Sequence, residues 1–208
     1  IADFRDEWAN NPLKKYPTPI HRWLNQFLEK KVIKNADQIV TVSEPITKYL
    51  KNLSTDKKKF STITNGFDEA DFRGLKSSES KVFRLVHVGS LYNLKYQESF
   101  VQAFRSLKLK NARLTFVGDK IRLMHKQAVK KIFEADVLLL ILDPVERPAV
   151  FTGKLFEYLR ARKPILAVAP KSSEAAKLIL KYQVGEIVSP DHREFKNGVK
   201  KMYQRWLV

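Results

Sequence analysis

The chain has 208 residues, of which 44% are hydrophobic, so it is long enough and apolar enough to bury a core. Its 39 lysines and arginines outnumber its 22 acidic residues, which gives a formal net charge of +17. The absence of cysteine excludes disulfides, thiolate metal sites and a cysteine nucleophile, and no apolar run is long enough to span a membrane. We therefore expect a soluble or peripheral protein of the cytoplasm.

The N-terminal part, residues 1–72, carries too few elements for an independent α/β domain. Strands are predicted at 1–4, 37–42 and 60–64, and helices at about 18–35 and 45–52. We expect this part to be the C-terminal remnant of a first domain that begins before Ile1. Residues 73–80 are polar and rich in small side chains, so we expect a linker there.

Residues 81–208 predict a second α/β domain, because strands and helices alternate regularly along them. The predicted strands are 83–88, 113–117, 137–142, 165–168 and 186–189. The predicted helices are 97–107, 125–134, 152–161, 173–182 and 191–206. Strands this apolar are typical of a doubly wound parallel sheet, buried on both faces. Ligands of such sheets bind at the carboxyl ends of the strands.

The start of the predicted helix 152–161 has the features of a phosphate-binding site. Thr152 is a good N-cap, Gly153 allows close approach to the backbone, and the amides of Gly153, Lys154 and Leu155 would point at an anion. Glu157 follows one turn later, where its carboxylate could accept two hydrogen bonds from vicinal sugar hydroxyls. The alternative is an ordinary amphipathic helix with a solvated Lys154–Glu157 pair.

This segment resembles the donor site of a known enzyme family. Lys-Leu-Phe-Glu-Tyr-Leu at 154–159, followed by Pro-Ile-Leu-Ala at 164–167, is similar to the donor segment of retaining glycosyltransferases of family 4. Further resemblances, in the expected order, are at 36–44, 63–72, 86–90 and 134–140. The resemblance implies the GT-B fold, with two Rossmann-like domains facing each other across a cleft and the last helix packing back on the first domain. It implies that Glu157 binds the ribose and that the preceding amides hold the diphosphate.

The resemblance also implies a second group of donor contacts, after the first strand of the second domain. Gly89 and Ser90 correspond to the glycine loop, although Ser90 stands where the family tends to have an arginine. No metal is expected, so Lys95 and Lys154 would stabilise the leaving diphosphate as the catalytic cations. A solvated loop lysine is the alternative for Lys95. Ala149 occupies the position of the family's first glutamate, which leaves the contact to the donor sugar unassigned.

The resemblance implies that the chain transfers a sugar from a nucleotide-diphosphate donor to a hydroxyl, with retention of the anomeric configuration. It implies no cofactor. The acceptor would be a carbohydrate or a lipid-linked glycan of a cell-surface polysaccharide or glycolipid. Because Ala149 replaces the family's first glutamate, two alternative functions stay open. The chain could be a GT-B protein that binds nucleotide sugar without transferring it, or an epimerase of related fold. A nucleic-acid-binding module is the competing class, but the basic residues are spread along the chain and no nucleic-acid motif occurs.

The N-terminal part concentrates basic and aromatic residues. Five lysines surround three aromatic side chains; they are Lys14, Lys15, Lys30, Lys31 and Lys34, around Tyr16, Trp23 and Phe27. This pattern favours contact with an anionic bilayer at the inner face of the membrane, and a solvated basic helix is the alternative. The histidines are too widely spaced for a metal site. We interpret His87 as a core residue and His125 as a capping or surface residue, with a side chain that faces the cleft as the alternative for His125.

Overall fold

The computed structural model describes residues 1–11, 14–75, 80–89, 94–118, 124–142 and 152–208, with the side chains of 94–96 excepted. These residues divide into a smaller unit, residues 1–65, and a larger unit that begins at Gly66. Among the described residues, no helix is both long and apolar enough to cross a lipid bilayer.

The smaller unit is a three-stranded parallel sheet with two helices. Its elements are β1 (Ala2–Phe4), α1 (Pro19–Asn35), β2 (Ile39–Thr41), α2 (Glu44–Asn52) and β3 (Phe60–Thr62). Strand β2 lies in the middle, with Ile39 opposite Ala2 on one side and Phe60 on the other. Ile33 of α1 and Ile46 of α2 pack into the same apolar core as Ile39. The three strands and two helices are those that the sequence predicts.

The larger unit is built on a five-stranded parallel sheet of order β5-β4-β6-β7-β8. A 3-10 helix, Glu69–Phe72, precedes the sheet. The strands are β4 (Phe83–Val88), β5 (Ala112–Val117), β6 (Val137–Ile141), β7 (Ile165–Val168) and β8 (Gly185–Val188). The helices are α3 (Leu94–Ser106), α4 (His125–Glu134), α5 (Gly153–Ala161), α6 (Glu174–Lys181) and α7 (His192–Trp206).

Helices cover both faces of this sheet. Alternate strand residues such as Leu139 join Phe100 of α3 and Phe195 of α7 in one core, where the two rings are 4.5 Å apart. Strand residues of opposite parity, such as Leu138 and Leu140, are also completely buried, on the face where α4 packs with α5. The doubly wound parallel sheet predicted from the sequence is therefore confirmed.

The division between the units falls at Asn65, inside the region that we assigned to the first domain. The reason is that the 3-10 helix packs on the larger unit. Arg160 of α5 pairs with Glu69 and lies over the ring of Phe72, 5.1 Å from its centroid. Residues 76–79 of the expected linker lie outside the described residues. The last helix, α7, packs on β7 and β8 of the larger unit.

Candidate functional site

The carboxyl edge of the larger sheet brings together the end of β4 and the beginnings of the helices that follow the strands. Gly89, directly after β4, has a φ of +120°, which is a conformation that glycine adopts and other residues rarely do. Of the loops at this edge, residues 90–93, 119–123 and 143–151 lie outside the described residues. The site is therefore built here from Gly89 and from the first turns of α4 and α5.

The start of α5 presents a backbone donor and a buried hydroxyl. Thr152 is the N-cap, with extended backbone angles, and its carbonyl accepts a hydrogen bond of 3.0 Å from the amide of Leu155. The Leu155 side chain is completely buried, and its amide is engaged within the first turn. Within the described part of the chain, the buried Oγ1 of Thr152 has no hydrogen-bond partner. Among the described residues, nothing lies within 4 Å of the position that a Cβ of Gly153 would take, which leaves room for a ligand beside the start of α5.

Lys154 brings a positive charge to the end of β4. Its side chain passes so close to Gly89 that a Cβ on that glycine would be 3.0 Å from Lys154 Cδ and closer still to Cε and Nζ. The backbone angle therefore requires glycine at position 89, and a side chain there would also displace the end of the Lys154 side chain. The ammonium lies beside the N-terminus of α5, where the helix dipole also favours an anion. Both contributions favour an anion at this edge of the sheet.

Glu157 lies one turn further along α5 and is largely buried, with a side chain 20% exposed. Burial raises its pKa; the negative charge of Asp71 raises it further, whereas His125 and Lys154 lower it. His125 Nε2 is 3.6 Å from Glu157 Oε1 and 3.0 Å from Asp71 Oδ2. His125 therefore does more than the surface or capping residue that we expected, because it lies between two carboxylates.

Neutral groups form the floor of the site. The hydroxyl of the fully buried Tyr158 accepts a hydrogen bond of 2.9 Å from the Val88 amide, and it lies 3.4 Å from the Leu139 carbonyl oxygen. His87 is also buried, and its Nδ1 is 2.9 Å from the same carbonyl oxygen, so Nδ1 carries the proton. Burial, with the Lys154 charge nearby, lowers the pKa of His87 to about 3. The interpretation of His87 as a core residue agrees with this environment.

Most of the site residues named from the sequence come together at this edge, namely Gly89, Thr152, Gly153, Lys154, Leu155 and Glu157. Lys95 belongs to the first turn of α3, and its side chain is among those not described. Ser90 and Ala149 lie outside the described residues. Sequence reasoning missed Asp71. Three of the four residues 68–71 are acidic, but this pattern does not indicate which helix they face. No group of three His, Cys, Asp or Glu side chains in the described ranges could hold a metal ion.

No family model matches the chain, and no curated protein is similar to it in sequence. Solved structures do match. A glycosyltransferase from Rickettsia africae has a TM-score of 0.65 at 17% identity, over 91% of this chain and 58% of its own. WaaG, a glycosyltransferase involved in lipopolysaccharide biosynthesis, has a TM-score of 0.57 at 13% identity, over 92% and 61%. An α,α-trehalose-phosphate synthase (UDP-forming) from Burkholderia vietnamiensis has a TM-score of 0.59 at 9% identity, over 90% and 59%.

This chain has the GT-B fold. The match extends over nine tenths of it, through both parallel sheets. At identities of 9% to 17% the likeness concerns the fold and not the chemistry. The chain spans 58% to 61% of the length of these three structures.

Proposed function

We propose that this GT-B protein transfers a sugar from a nucleoside-diphosphate donor to a hydroxyl acceptor, with retention of the anomeric configuration. The observation that carries this proposal is the first two turns of α5. There, Gly153 is open to a ligand, Lys154 lies against Gly89, and Glu157 follows as a largely buried carboxylate. A cationic helix start followed by an acceptor-only side chain suits a diphosphate joined to a ribose. The shared fold agrees with this chemistry.

Each residue has one task in this mechanism. The Gly153 amide and the Lys154 ammonium bind the diphosphate, and Glu157 accepts hydrogen bonds from the ribose hydroxyls. Lys95 in the first turn of α3, and Gly89 and Ser90 after β4, contribute further donor contacts. As the glycosidic bond breaks, negative charge grows on the departing phosphate oxygen, where the two lysines and the helix start stabilise it. The protein's contribution is electrostatic and positional, since it fixes the donor beside the acceptor hydroxyl.

Nucleotide binding can be tested with UDP, ADP and GDP and with their sugar conjugates. We expect the nucleotides of one base to raise the melting temperature of the protein, because a ligand that binds only the folded state stabilises it. Glu157→Gln and Lys154→Met should abolish the shift, whereas the control variants Glu134→Gln and Lys177→Met should keep it.

The Glu157→Gln variant should remain folded. Burial raises the pKa of Glu157, so keeping this carboxylate ionised at a pH above that pKa lowers the stability of the wild-type protein. Glu157→Gln should therefore be at least as stable as the wild type at neutral pH, and a missing thermal shift with nucleotide would not reflect unfolding.

Transfer itself needs a product assay. Incubation of the responding nucleotide sugar with glycan acceptors should release the nucleoside diphosphate, and NMR of the product should show the anomeric configuration of the donor. Inversion of configuration would contradict the retaining mechanism. Binding without release in the presence of many acceptors would instead favour a protein that holds nucleotide sugar without transferring it.

We further propose that α1 lies on an anionic membrane that carries the acceptor, as suits the synthesis of a surface polysaccharide or glycolipid. Along this helix, large apolar side chains face solvent; they are Ile20, Trp23, Leu24, Phe27, Leu28 and Val32. Trp23 and Phe27 stack with their ring centroids 5.8 Å apart. Exposed basic residues flank them, namely Arg22, Lys30, Lys31 and Lys34. Aromatic and apolar groups ringed by cations match the interface of a bilayer with anionic headgroups.

A further inference from the structure

Three ionisable side chains from three different elements meet beside α5. Asp71 comes from the 3-10 helix, His125 is the first residue of α4, and Glu157 lies in the middle of α5. His125 Nε2 is 3.0 Å from Asp71 Oδ2 and 3.6 Å from Glu157 Oε1. The carboxylate side chains are only 17% and 20% exposed, whereas the imidazole is 58% exposed. The exposed imidazole therefore lies between two largely buried carboxylates.

The surrounding contacts keep this group in one arrangement. Arg160, one turn after Glu157 on α5, pairs with Glu69 and lies over the Phe72 ring. These contacts hold the 3-10 helix against α5 and so fix Asp71. Because both neighbours of Nε2 are carboxylate oxygens, Nε2 carries a proton and is the donor. The charged groups that act on Glu157 are His125 from α4, Asp71 from the 3-10 helix and Lys154 from α5 itself.

We propose that His125 and Asp71 are positioning residues for Glu157: the charge of His125 favours the ionised carboxylate that accepts hydrogen bonds from the ribose of the donor, and Asp71 orients the imidazole of His125. This inference rests on the proposed function, because it takes Glu157 as the ribose acceptor. His125 acts on Glu157 through its charge, from a distance of 3.6 Å. Asp71 acts through His125, by orienting the imidazole. Neither residue needs to touch the nucleotide.

The physical reason is a conflict between burial and function. A ribose diol donates two hydrogen bonds, which an ionised carboxylate accepts and a protonated carboxyl accepts less well. Burial favours the protonated form of Glu157 and raises its pKa, and the charge of His125 opposes that shift. A neutral residue in place of His125 should raise the pKa of Glu157 further. A neutral residue in place of Asp71 removes a negative charge, and its direct effect on the Glu157 pKa is in the opposite direction.

The test measures Glu157 and nucleotide binding separately. Carboxyl carbon NMR of the protein without nucleotide follows the titration of Glu157 in the wild type, in His125→Gln and in Asp71→Asn. Calorimetric titrations with UDP, ADP and GDP follow affinity across the same pH range. His192→Gln is the matched control, because His192 also begins a helix, α7, and is exposed. A His125→Lys variant restores a positive charge at the position.

We expect His125→Gln to move the titration of Glu157 and the acid limb of nucleotide binding to higher pH together. Near pH 5.5 the affinity should fall roughly three- to tenfold, the scale of one lost charge-assisted contact, and at alkaline pH most of it should return. His125→Lys should restore much of the loss, Asp71→Asn should move the titration to lower pH, and His192→Gln should behave as the wild type.

Two failures can be told apart. If Glu157→Gln binds the nucleotides as the wild type does, Glu157 is not the ribose acceptor and the proposed function fails. If Glu157→Gln loses binding but His125→Gln changes neither the titration of Glu157 nor the acid limb, the proposed function stands and the inference about His125 is overturned. A loss of affinity that is equal at every pH would also overturn it, because a purely structural effect does not follow the charge.

Discussion

At the residue scale, the buried imidazole of His87 makes the stability of the larger unit depend on pH. Its pKa falls from 6.5 to about 3 on folding, through burial and the charge of Lys154. The unfolded chain therefore takes up a proton below pH 6.5 that the native protein does not. This contribution to stability is complete above pH 6.5 and is lost as the pH falls from 6.5 towards 3.

Urea unfolding between about pH 7.5 and pH 5 measures this contribution. For the wild type, His87 alone should lower the free energy of unfolding by about 1.4 kcal/mol per pH unit below its ordinary pKa. His87→Asn keeps a donor near the Leu139 carbonyl but cannot titrate, so its stability should depend less steeply on pH. His192→Asn, at an exposed histidine, should keep the wild-type slope. Equal slopes in all three proteins would contradict a neutral buried His87.

Two glycines at the site should respond to alanine in opposite ways. Gly89→Ala places a side chain at a φ of +120° and against Lys154, so it should cost on the order of 1–3 kcal/mol of stability. Gly153→Ala finds open space at a helical position, so it should raise stability by up to about 1 kcal/mol. Both variants should weaken nucleotide binding. The new methyl group at 153 fills the space proposed for the phosphates, and the one at 89 displaces the Lys154 side chain.

Gly153→Ala is the sharper of these two variants, because it separates binding from stability. Thermal melts with and without the nucleotide that stabilises the wild type measure both effects in one experiment. Gly66→Ala, at another glycine with open space around its Cβ position, is the control for a change without effect on the ligand. A Gly153→Ala protein that is more stable and still binds nucleotide normally would contradict the placement of the phosphates in the space beside residue 153.

At the element scale, Tyr158 fastens α5 to the sheet beneath it. Its hydroxyl accepts from the Val88 amide at the end of β4 and lies near the Leu139 carbonyl of β6. Tyr158→Phe removes the acceptor and leaves that buried amide without it, at a cost of about 1–3 kcal/mol in the free energy of unfolding. Tyr182→Phe is the matched control, since Tyr182 is 61% exposed. If urea unfolding gives the same loss for both variants, the hydrogen bond does not hold the helix.

The helices and strands could be predicted from the sequence because each is specified locally. The run Val137–Ile141 is apolar enough to be a buried strand, and α5 begins after Thr152 and ends before Pro164, as expected, although the Thr152 side chain makes no capping hydrogen bond. The 3-10 helix and the contact between Asp71, His125 and Glu157 could not be predicted. They depend on Arg160 meeting Glu69 across the fold, and neither periodicity nor capping signals indicates such a pair. The roles of Lys95 and Glu157 remain predictions.

At the scale of the whole molecule, a net charge of +17 favours association with anionic surfaces over neutral ones. On the smaller unit this charge coincides with exposed apolar side chains, because α1 buries Glu29 and Ile33 and leaves Trp23 and Phe27 63% and 50% exposed. The buried carboxylate of Glu29 is satisfied, since its two oxygens accept hydrogen bonds from the Ala9 amide and the Tyr49 hydroxyl. A helix whose buried face includes a carboxylate and whose outer face is aromatic is oriented for an external apolar partner.

Vesicle binding decides whether that partner is a membrane. Co-sedimentation should show binding to vesicles that contain phosphatidylglycerol and little binding to phosphatidylcholine alone, because each basic residue near an anionic surface adds about 1 kcal/mol. The binding should weaken with salt as the charges are screened.

Replacing Trp23 and Phe27 together by serine should abolish vesicle binding, whereas Tyr182→Ser, at an exposed aromatic residue of the larger unit, should not. Equal binding to neutral vesicles, or unchanged binding by the double variant, would contradict the membrane proposal.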